Sequence, residues 1–458
     1  MSRYPTYPEY KATRCDWFPE IPSHWEIDRA KWSVISCQNG VWGAEPDGDD
    51  DLVCIRVADF DRQSLRVSTE KLTMRSIAEK DRRNRLLKTG DLLLEKSGGG
   101  EQQLVGAVVE FNQQFPAVSS NFIARMVASD EMSSRFLVYL HSHLYSGRVN
   151  FRSIKQTTGI QNLDSQAYLD EPITYPPLYE QQTIARFLDF KTAQIDALIA
   201  KQKTLLDKLA EKRTALTSHA VTKGLDPSVP MKDSGVAWLG EIPAHWDAKR
   251  LKFVVTTFGG GTPNTGKPEY WNGDIPWVSP KDMKCDFIDA TEDYLTEIGV
   301  AESATKIVPV DSVLIVVRSG ILRHTIPVAR NVIEVALNQD MKALVASDRL
   351  RPGFIHWFIS GLQGGLLPIW SKQGCTVESI EMDYMSNTVI PLPPTAEQDA
   401  ILETILKVTA SVDSQAEKIT TVISSLVEYR SSLITHAVTG EIDVRGFRVP
   451  PSTEGLAS

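Results

Sequence analysis

The sequence predicts a mixed α/β (α+β) chain: two mixed domains held apart by two long antiparallel helices in a coiled-coil-like pair, with a pseudo-two-fold internal repeat. Three observations carry this. Pro176-Pro177-Leu178-Tyr179-Glu180-Gln181 opens a helical run that closes on His219-Ala220-Val221-Thr222, and Pro393-Pro394-Thr395-Ala396-Glu397-Gln398 opens another that closes on His436-Ala437-Val438-Thr439. Both pairs lie 217 residues apart, 176 to 393 and 219 to 436. Upstream, Trp17-Phe18-Pro19-Glu20-Ile21-Pro22-Ser23-His24-Trp25 recurs as Trp238-Leu239-Gly240-Glu241-Ile242-Pro243-Ala244-His245-Trp246, and Arg29 and Lys31 recur as Arg250 and Lys252. Finally, apolar residues inside both long runs recur at heptad spacing. A duplicated unit of this size suits a target with two-fold character, such as duplex DNA or a pair of identical subunits.

The elements follow in chain order. Residues 1–175 form the first mixed domain, with the repeated segment at 17–32. Leu52–Val57, Asp91–Glu95 and Val105–Val109 read as strands, bounded by turn residues; Phe136–Leu140 reads as part of a short helix. Residues 176–223 form the first long helix and 224–237 a Pro/Gly linker. Residues 238–392 form the second mixed domain, with a strand at Val313–Val317 and a short helix around Phe354–Phe358. Residues 393–440 form the second long helix, and 441–458, rich in Pro, Ser and Gly, a loose tail.

Each long helix carries a stripe. In the second, Ile401, Ile405, Val408, Val412, Ile419, Val422, Leu426, Tyr429 and Leu433 step by four and three, with a step of seven across Gln415. In the first, Leu188, Ile195, Leu198, Leu205, Leu209 and Leu216 hold the register, interrupted by Lys191, Gln202 and Lys212. An apolar stripe needs a cover, and each helix is the nearest cover for the other. Pro-Pro followed by Glu-Gln suits a helix start, where proline is tolerated and acidic groups meet the positive end. Thr395 with Gln398 has capping-box spacing. His219 and His436 fall in the last turn, and Gly224 and Gly440 follow as stops.

Composition bounds the rest. At 458 residues the chain exceeds one core, so two or more domains are expected. It holds no run of eighteen apolar residues, so no membrane span is expected. Met1-Ser2-Arg3-Tyr4-Pro5 has no apolar signal stretch. Cys15, Cys37, Cys54, Cys285 and Cys375 lie far apart without a Cys-x-x-Cys, against zinc and disulfides and in keeping with a reducing cytoplasm. A net charge of −9 means that any nucleic-acid contact must be local or shared with a more basic partner.

The doubled Glu-Ile-Pro-x-His-Trp openings (20–25, 241–246), the doubled Pro-Pro-x-x-Glu-Gln helix entries (176–181, 393–398), the His-Ala-Val-Thr endings and two unlike intervening domains run in one order over nearly the whole chain. Together they resemble the DNA-specificity (HsdS) subunits of type I restriction–modification enzymes. The resemblance implies two target-recognition domains, each reading one half of a split DNA site, with helices that set the gap. It implies two modification subunits docked on the helices, which bring S-adenosylmethionine and methylate adenine at N6. It also implies restriction subunits that use ATP and Mg, and no cofactor, metal or catalytic residue in this chain. The weakened first stripe is a departure, and it leaves the pairing register there less secure. Divergence beside repetition fits the same scheme: Asp81-Arg82-Arg83-Asn84-Arg85 has no counterpart in the second half, so an asymmetric bipartite site follows, whereas a homodimer would give a palindrome.

Catalytic motifs are missing. An amino-methyltransferase would need Asn/Asp-Pro-Pro-Tyr/Phe, and Tyr175-Pro176-Pro177-Leu178 and Leu392-Pro393-Pro394-Thr395 lack both flanks. Phe258-Gly259-Gly260-Gly261-Thr262 reads as a turn, and no phosphate-binding loop ending in Lys-Ser/Thr exists. Pro46-Asp47 has no Asp/Glu-x-Lys at a useful distance, and Asp282-Met283-Lys284 and Asp340-Met341-Lys342 are tripeptides expected by chance. His141 and His143, without further ligands nearby, read as surface residues.

Cations, amides and hydroxyls supply the candidate DNA contacts. Arg82, Arg83, Arg85 and Lys88 form a basic run; the alternative is a solvated helix face. Lys96 and Ser97 before Gly98-Gly99-Gly100, and Arg318 and Ser319 before Gly320, each join a cation to a flexible turn. Lys281, Arg323 and His324 are further candidates. Arg148, Arg152 and Lys155 surround a Gln156-Thr157-Thr158 loop. Glu180, Gln181, Leu188, Ile195, Leu198, Leu205, Leu209, Leu216, Glu397, Gln398, Ile405, Val412, Val422, Leu426 and Leu433 are assigned to the helical frame and to partner docking. Trp17, Trp25, Trp238 and Trp246 read as packing anchors. Two other classes of function remain open: a scaffold with duplicated helical docking sites and no DNA, and a self-sufficient nuclease or methyltransferase.

Overall fold

A computed structural model describes residues 4–49, 51–98, 103–157, 160–372 and 377–450. Gly99, Gly100, Thr158, Cys375, Met1–Arg3 and the end of the expected tail, 451–458, lie outside the described residues. The chain forms two compact units, Met1–Gln202 with Thr421–Ser458, and Lys203–Thr420. The two long helices, Leu178–Lys223 and Thr395–Val438, each contribute one half to each unit.

In the first unit the central strand is Leu92–Glu95, buried throughout, and its run Leu92-Leu93-Leu94 is apolar on both faces, as a strand in a covered sheet should be. Its six-stranded sheet has the order Val34–Asn39, Ile123–Ala128, Leu92–Glu95, Val108–Glu110, Arg66–Val67, Phe60–Asp61. All its neighbours are antiparallel except Val108–Glu110 beside Arg66–Val67. Helix Ser134–Ser146 buries Phe136, Leu137, Leu140 and Leu144 in the core that also takes Leu92, Leu94 and Met126. Ser133 caps it, its hydroxyl accepting from Phe136 N.

The second unit repeats this plan in unlike sequence. Its central strand Val313–Val316 is also wholly buried. The order is Val255–Gly259, Met341–Ala346, Val313–Val316, Val328–Asn331, Phe287–Ile288. Helix Pro352–Trp370 occupies the place of Ser134–Ser146, and Phe354, Ile355 and Phe358 join the core. The two mixed domains are dissimilar in sequence but share the order of five strands, to which the first unit adds Phe60–Asp61 at one edge.

Within each unit the long helices run in opposite directions. In the first, Glu180 shares the Trp25 pocket with Gly440, and Asp196 meets Arg430. In the second, Glu397 lies beside Gly224, and Asp413 is 3.7 Å from Arg213. Numbers rise along one helix as they fall along the other.

Four expectations are corrected. The stretch 224–237 is not only a linker: Met231–Asp233 pairs with Glu241–Pro243, matching the hairpin Tyr10–Cys15 with Phe18–Pro22. Lys11 and Lys232 donate equivalently to the carbonyls of Trp25 and Trp246, so the repeat begins earlier than its tryptophans. The tail is not loose at its start, because Ile442 and Val444 are buried and Phe447 packs edge-on to Phe187. The heptad stripe holds only in part. Leu188, Ile195, Leu209, Ile405, Val412 and Leu433 are buried, but Leu198, Leu205, Leu216, Val422 and Tyr429 are exposed, while Ile184 and Ile199 are buried instead. A strict heptad assumes a uniform two-helix seam, whereas here the mixed domain covers a broad arc near the helix ends. Lastly, His141 is a core residue: its ring is buried and bonds to Tyr168 Oη at 2.7 Å, and His143 reaches Thr435 Oγ1.

Burial pushes the His141 imidazole down to about 4. The unfolded chain therefore binds more protons between that value and the ordinary histidine range, so this contribution to stability is full at neutral pH and is lost on acidification. Between pH 7 and pH 5 it should cost about 2 kcal/mol. His141→Gln should flatten the slope of unfolding free energy over that window, measured by urea denaturation; an unchanged slope would show that His141 does not titrate on unfolding.

Candidate nucleic-acid interface

The frame comes first, because it holds everything else. The carboxylate of Glu180, fully buried, accepts from Tyr7 Oη at 2.6 Å, Trp25 Nε1 at 3.0 Å and His24 Nε2 at 2.9 Å. Burial, with the neighbouring Glu180 carboxylate, holds the Tyr7 phenol far above its ordinary range, so it stays a donor. In the second unit Glu397 accepts from His245 Nε2 at 2.8 Å, and Trp246 Nε1 has no partner among the described residues. The neighbouring glutamines do equal work. Gln181 accepts from Ser133 N and donates to Pro176 O; Gln398 accepts from Arg351 N and donates to Pro393 O and Arg349 O. Ser133 and Arg351 are the N-caps of the two domain helices. Each glutamine thus ties the start of a long helix to the start of a domain helix. Gln398 does not form a capping box with Thr395, because its amide is taken by these longer contacts.

Lys96 and Ser97 do not open a flexible turn as expected: the chain leaves the buried central strand, and Ser97–Gly98 pairs as a strand with Asn162 and Gln161. Lys96 N donates to Phe122 O, and Leu163 N donates to Lys96 O. Gly40 ends the edge strand Val34–Asn39, where a Cβ would stand 2.0 Å from Ser119 O, so only glycine lets the strand turn there. These constraints form a cleft of about 530 Å³ lined by Gln38, Asn39, Arg85, Lys96, Asp164, Ser165 and Gln166. Lys96 Nζ donates to Asn39 Oδ1 at 2.7 Å, and Arg85 Nε donates to Asn39 O at 3.2 Å. Ser97 Oγ lies 2.6 Å from Asn162 Oδ1. Lys155 sits at the rim, 2.9 Å from Asp164, and holds that carboxyl below its ordinary range. Cations, amides and hydroxyls on a rigid sheet end are the groups that meet phosphates and base edges.

The remaining first-unit candidates are not among the cleft-lining residues. Arg82 Nε donates to Ile77 O. Arg83 is largely exposed, 3.6 Å from Glu79, and Lys88 is exposed. Arg148 and Arg152 lie over the rings of Phe151 and Trp17. The expected Gln156–Thr158 loop begins as strand: Ile154–Thr157 pairs with Ile160–Leu163.

In the second unit the cations are matched by acids. Arg318 pairs with Asp340, Arg323 with Glu378 at 2.9 Å, and Lys281 with Glu292 and Asp293. Ser319 caps a short turn at Gly320–Arg323, and His324 is exposed behind it. The matching of Lys96-Ser97-Gly98 to Arg318-Ser319-Gly320 needs correction by one residue. Leu163 N donates to Lys96 O, while its counterpart Ile380 N donates to Val317 O. Lys96 therefore corresponds to Val317 and Ser97 to Arg318, so the two cations leave opposite faces of the chain. Sequence reasoning also missed Gln38, Asn39, Asn162, Ser165 and Gln166. The polar run Cys37-Gln38-Asn39 before Gly40, matched in place by the glycines after Phe258, was the available signal.

A family model described as the type I restriction modification DNA specificity domain matches residues 69–208 and 243–424. Among curated relatives, the EcoR124I/EcoR124II specificity subunit of Escherichia coli is 37% identical over 195 residues, 42% of this chain and 45% of that one. The MjaIX specificity subunit of Methanocaldococcus jannaschii is 29% identical over 32% of this chain and 36% of its own. The chain thus spans less than half the length of these two relatives. A putative MjaX specificity subunit from the same organism is 21% identical over 83% of this chain and 86% of its own. In fold, the chain is similar to one from a structure described as the basis of complex assembly and conformational transition of the type I R-M system, with a TM-score of 0.71 at 14% identity, covering 92% and 99% of the two chains. It is also similar to an HsdS subunit from Thermoanaerobacter tengcongensis, with a TM-score of 0.51 at 14% identity, covering 92% and 98%.

Removing either glutamine amide leaves buried backbone groups unpaired. Gln181→Ala and Gln398→Ala should each lower unfolding free energy by about 1–3 kcal/mol in urea titrations. A loss below 0.5 kcal/mol, about the effect of an ordinary surface change, would mean that the tie is not structural.

Proposed function

Because the chain belongs to the type I restriction modification DNA specificity family, we propose that it is the non-catalytic DNA-reading subunit of such a complex. Each mixed domain reads one half of an asymmetric bipartite site, the long helices set the gap, and modification subunits docked on those helices methylate adenine at N6. The observation that carries this reading is a shared strand order presenting two unlike rims: in the first unit a cleft where Lys96 and Arg85 meet Asn39, with Asp81 beside Arg85 and Asp164 beside Lys155, and in the second the pairs Arg318–Asp340 and Arg323–Glu378. A common frame with different contact chemistry is what two different half-sites require.

The exposed Leu198, Leu205 and Leu216 on the first helix supply apolar area for a docked partner. S-adenosylmethionine belongs with the modification subunits, and ATP with Mg belongs with the restriction subunits. The net charge of −9 is compatible with DNA because the cations are concentrated locally and the partners share the phosphate contacts.

A modified-base map of DNA from cells carrying the system should reveal two unlike half-sites at a fixed gap. Exchanging residues 33–170 for the corresponding segment of a relative should change the bases of one half-site only. Changes in both halves, or a palindrome, would contradict the division of labour. Lys96→Ala, assayed in the complex with the modification subunit, should weaken methylation through the first domain's half-site by about tenfold, the scale of one good base contact. Undiminished discrimination at that half-site would remove Lys96 from the reading surface.

A further inference from the structure

Two arginines outside the frame junctions and the first unit's cleft occupy the same place in the repeat. Arg213 and Arg430 are 217 residues apart, and so are Asp196 and Asp413, the interval that separates the helix entries. In the first unit Arg430 Nε donates to Asp196 Oδ1 at 3.0 Å, and its Nη2 donates to the carbonyl of Gln63. Gln63 Nε2 closes the triangle on Asp196 Oδ1 at 2.8 Å. Gln63 belongs to the mixed domain, on a turn that the Asp61 carboxylate braces by accepting from the amides of Gln63 and Ser64. In the second unit Arg213 Nη1 faces Asp413 Oδ1 at 3.7 Å, and Nη2 donates to Asp286 Oδ2 at 2.7 Å. Its guanidinium lies 5.7 Å from the centroid of Trp357. Asp286 belongs to the mixed domain, and the buried His356 stands 3.6 Å from its other oxygen.

One arginine in each unit therefore joins three elements: the two long helices and the mixed domain. A guanidinium suits this, since its donors leave in fixed directions from one plane and can serve several acceptors at once. The carriers are exchanged: the second helix supplies the arginine of the first unit, and the first helix that of the second. Neither arginine is among the residues that line the first unit's cleft. Glu180–Trp25 and Gln181–Ser133 already hold the helix entry to the domain. The arginine lies about four turns further along the first helix, near Asp196, so it fixes a second point and with it an angle.

We infer that Arg213 and Arg430 are positioning residues, each fixing the angle of its mixed domain on the helix pair of its own unit and so the spacing at which that domain meets DNA. This rests on the proposed bipartite reading. Loss of the second anchor leaves the half-site bases readable and lets the domain pivot about the helix entry. A displacement of about 1 Å at a reacting centre can cost on the order of 100-fold in rate, so the gap should be enforced through such anchors.

The test uses the full chain in complex with its modification subunits, on duplexes carrying both half-sites with the gap native or changed by one base pair. Arg213→Ala and Arg430→Ala should reduce the preference for the native gap by at least about tenfold, with unchanged preference for the half-site bases. Asp286→Asn, which spares the Arg213–Asp413 pairing, should relax the gap to a smaller degree, and it keeps the test open if the alanine variants fail to fold. Gap preference equal to wild type in folded variants, or base preference lost together with gap preference, would overturn the inference. A wild-type complex that methylates no bipartite site would instead refute the underlying reading.

Discussion

The meeting of helix ends governs this molecule. In each unit the start of one long helix and the end of the other converge on a fully buried tryptophan, Trp25 or Trp246. The ends are glycines in the left-handed region, Gly440 at φ 78° and Gly224 at φ 77°. A Cβ on Gly440 would stand 2.4 Å from Pro22 and 3.4 Å from Trp25, and one on Gly224 would stand 3.2 Å from Trp246. Close approach and backbone conformation both demand glycine. The helix that ends in a unit is not the one that begins there, so each unit is closed by chain from both halves of the sequence. The carboxylate at the opposite helix start sits in the positive end of that helix: Glu180 accepts from Tyr7, His24 and Trp25, and Glu397 from His245.

From this junction the mixed domains inherit their placement within each unit. Gln181 and Gln398 join the domain helices to the long helices through backbone groups, which are independent of side-chain identity elsewhere. The domain sequence is then free to diverge, provided that its central strand stays apolar. Leu92–Leu94 and Val313–Val316 meet that condition with different residues. Even the buried Glu95 is accommodated, its carboxyl pushed up by burial and opposed by Arg62 at 2.8 Å. What diverges is the rim beyond the central strand. There the first unit gathers Arg85, Lys96 and Asn39, and the second pairs Arg318 with Asp340.

The repeat, the helix entries and stops, the two mixed domains and their central strands were legible in the sequence. Each is a local signal: proline and glycine at fixed offsets, a run of apolar residues, a spacing that recurs. The heptad stripe was legible only in part. Its outcome depends on which arc of each helix a mixed domain covers, and Leu198 and Ile199 are neighbours with opposite fates. The hairpin at Met231–Asp233 was read as linker because three residues of strand carry no periodicity.

The sequence alone determined that this is a doubled frame carrying two unlike domains, since covalent spacing is written directly in residue numbers. Only tertiary structure decided which residues share a cleft, because Asn39, Arg85, Lys96 and Ser165 meet through strand pairing across a separation of more than a hundred residues. It also decided that Lys96 corresponds to Val317 rather than Arg318. Register in a sheet is set by hydrogen bonds to neighbouring strands, and a one-residue offset, invisible in the similarity of two tripeptides, turns a side chain to the opposite face.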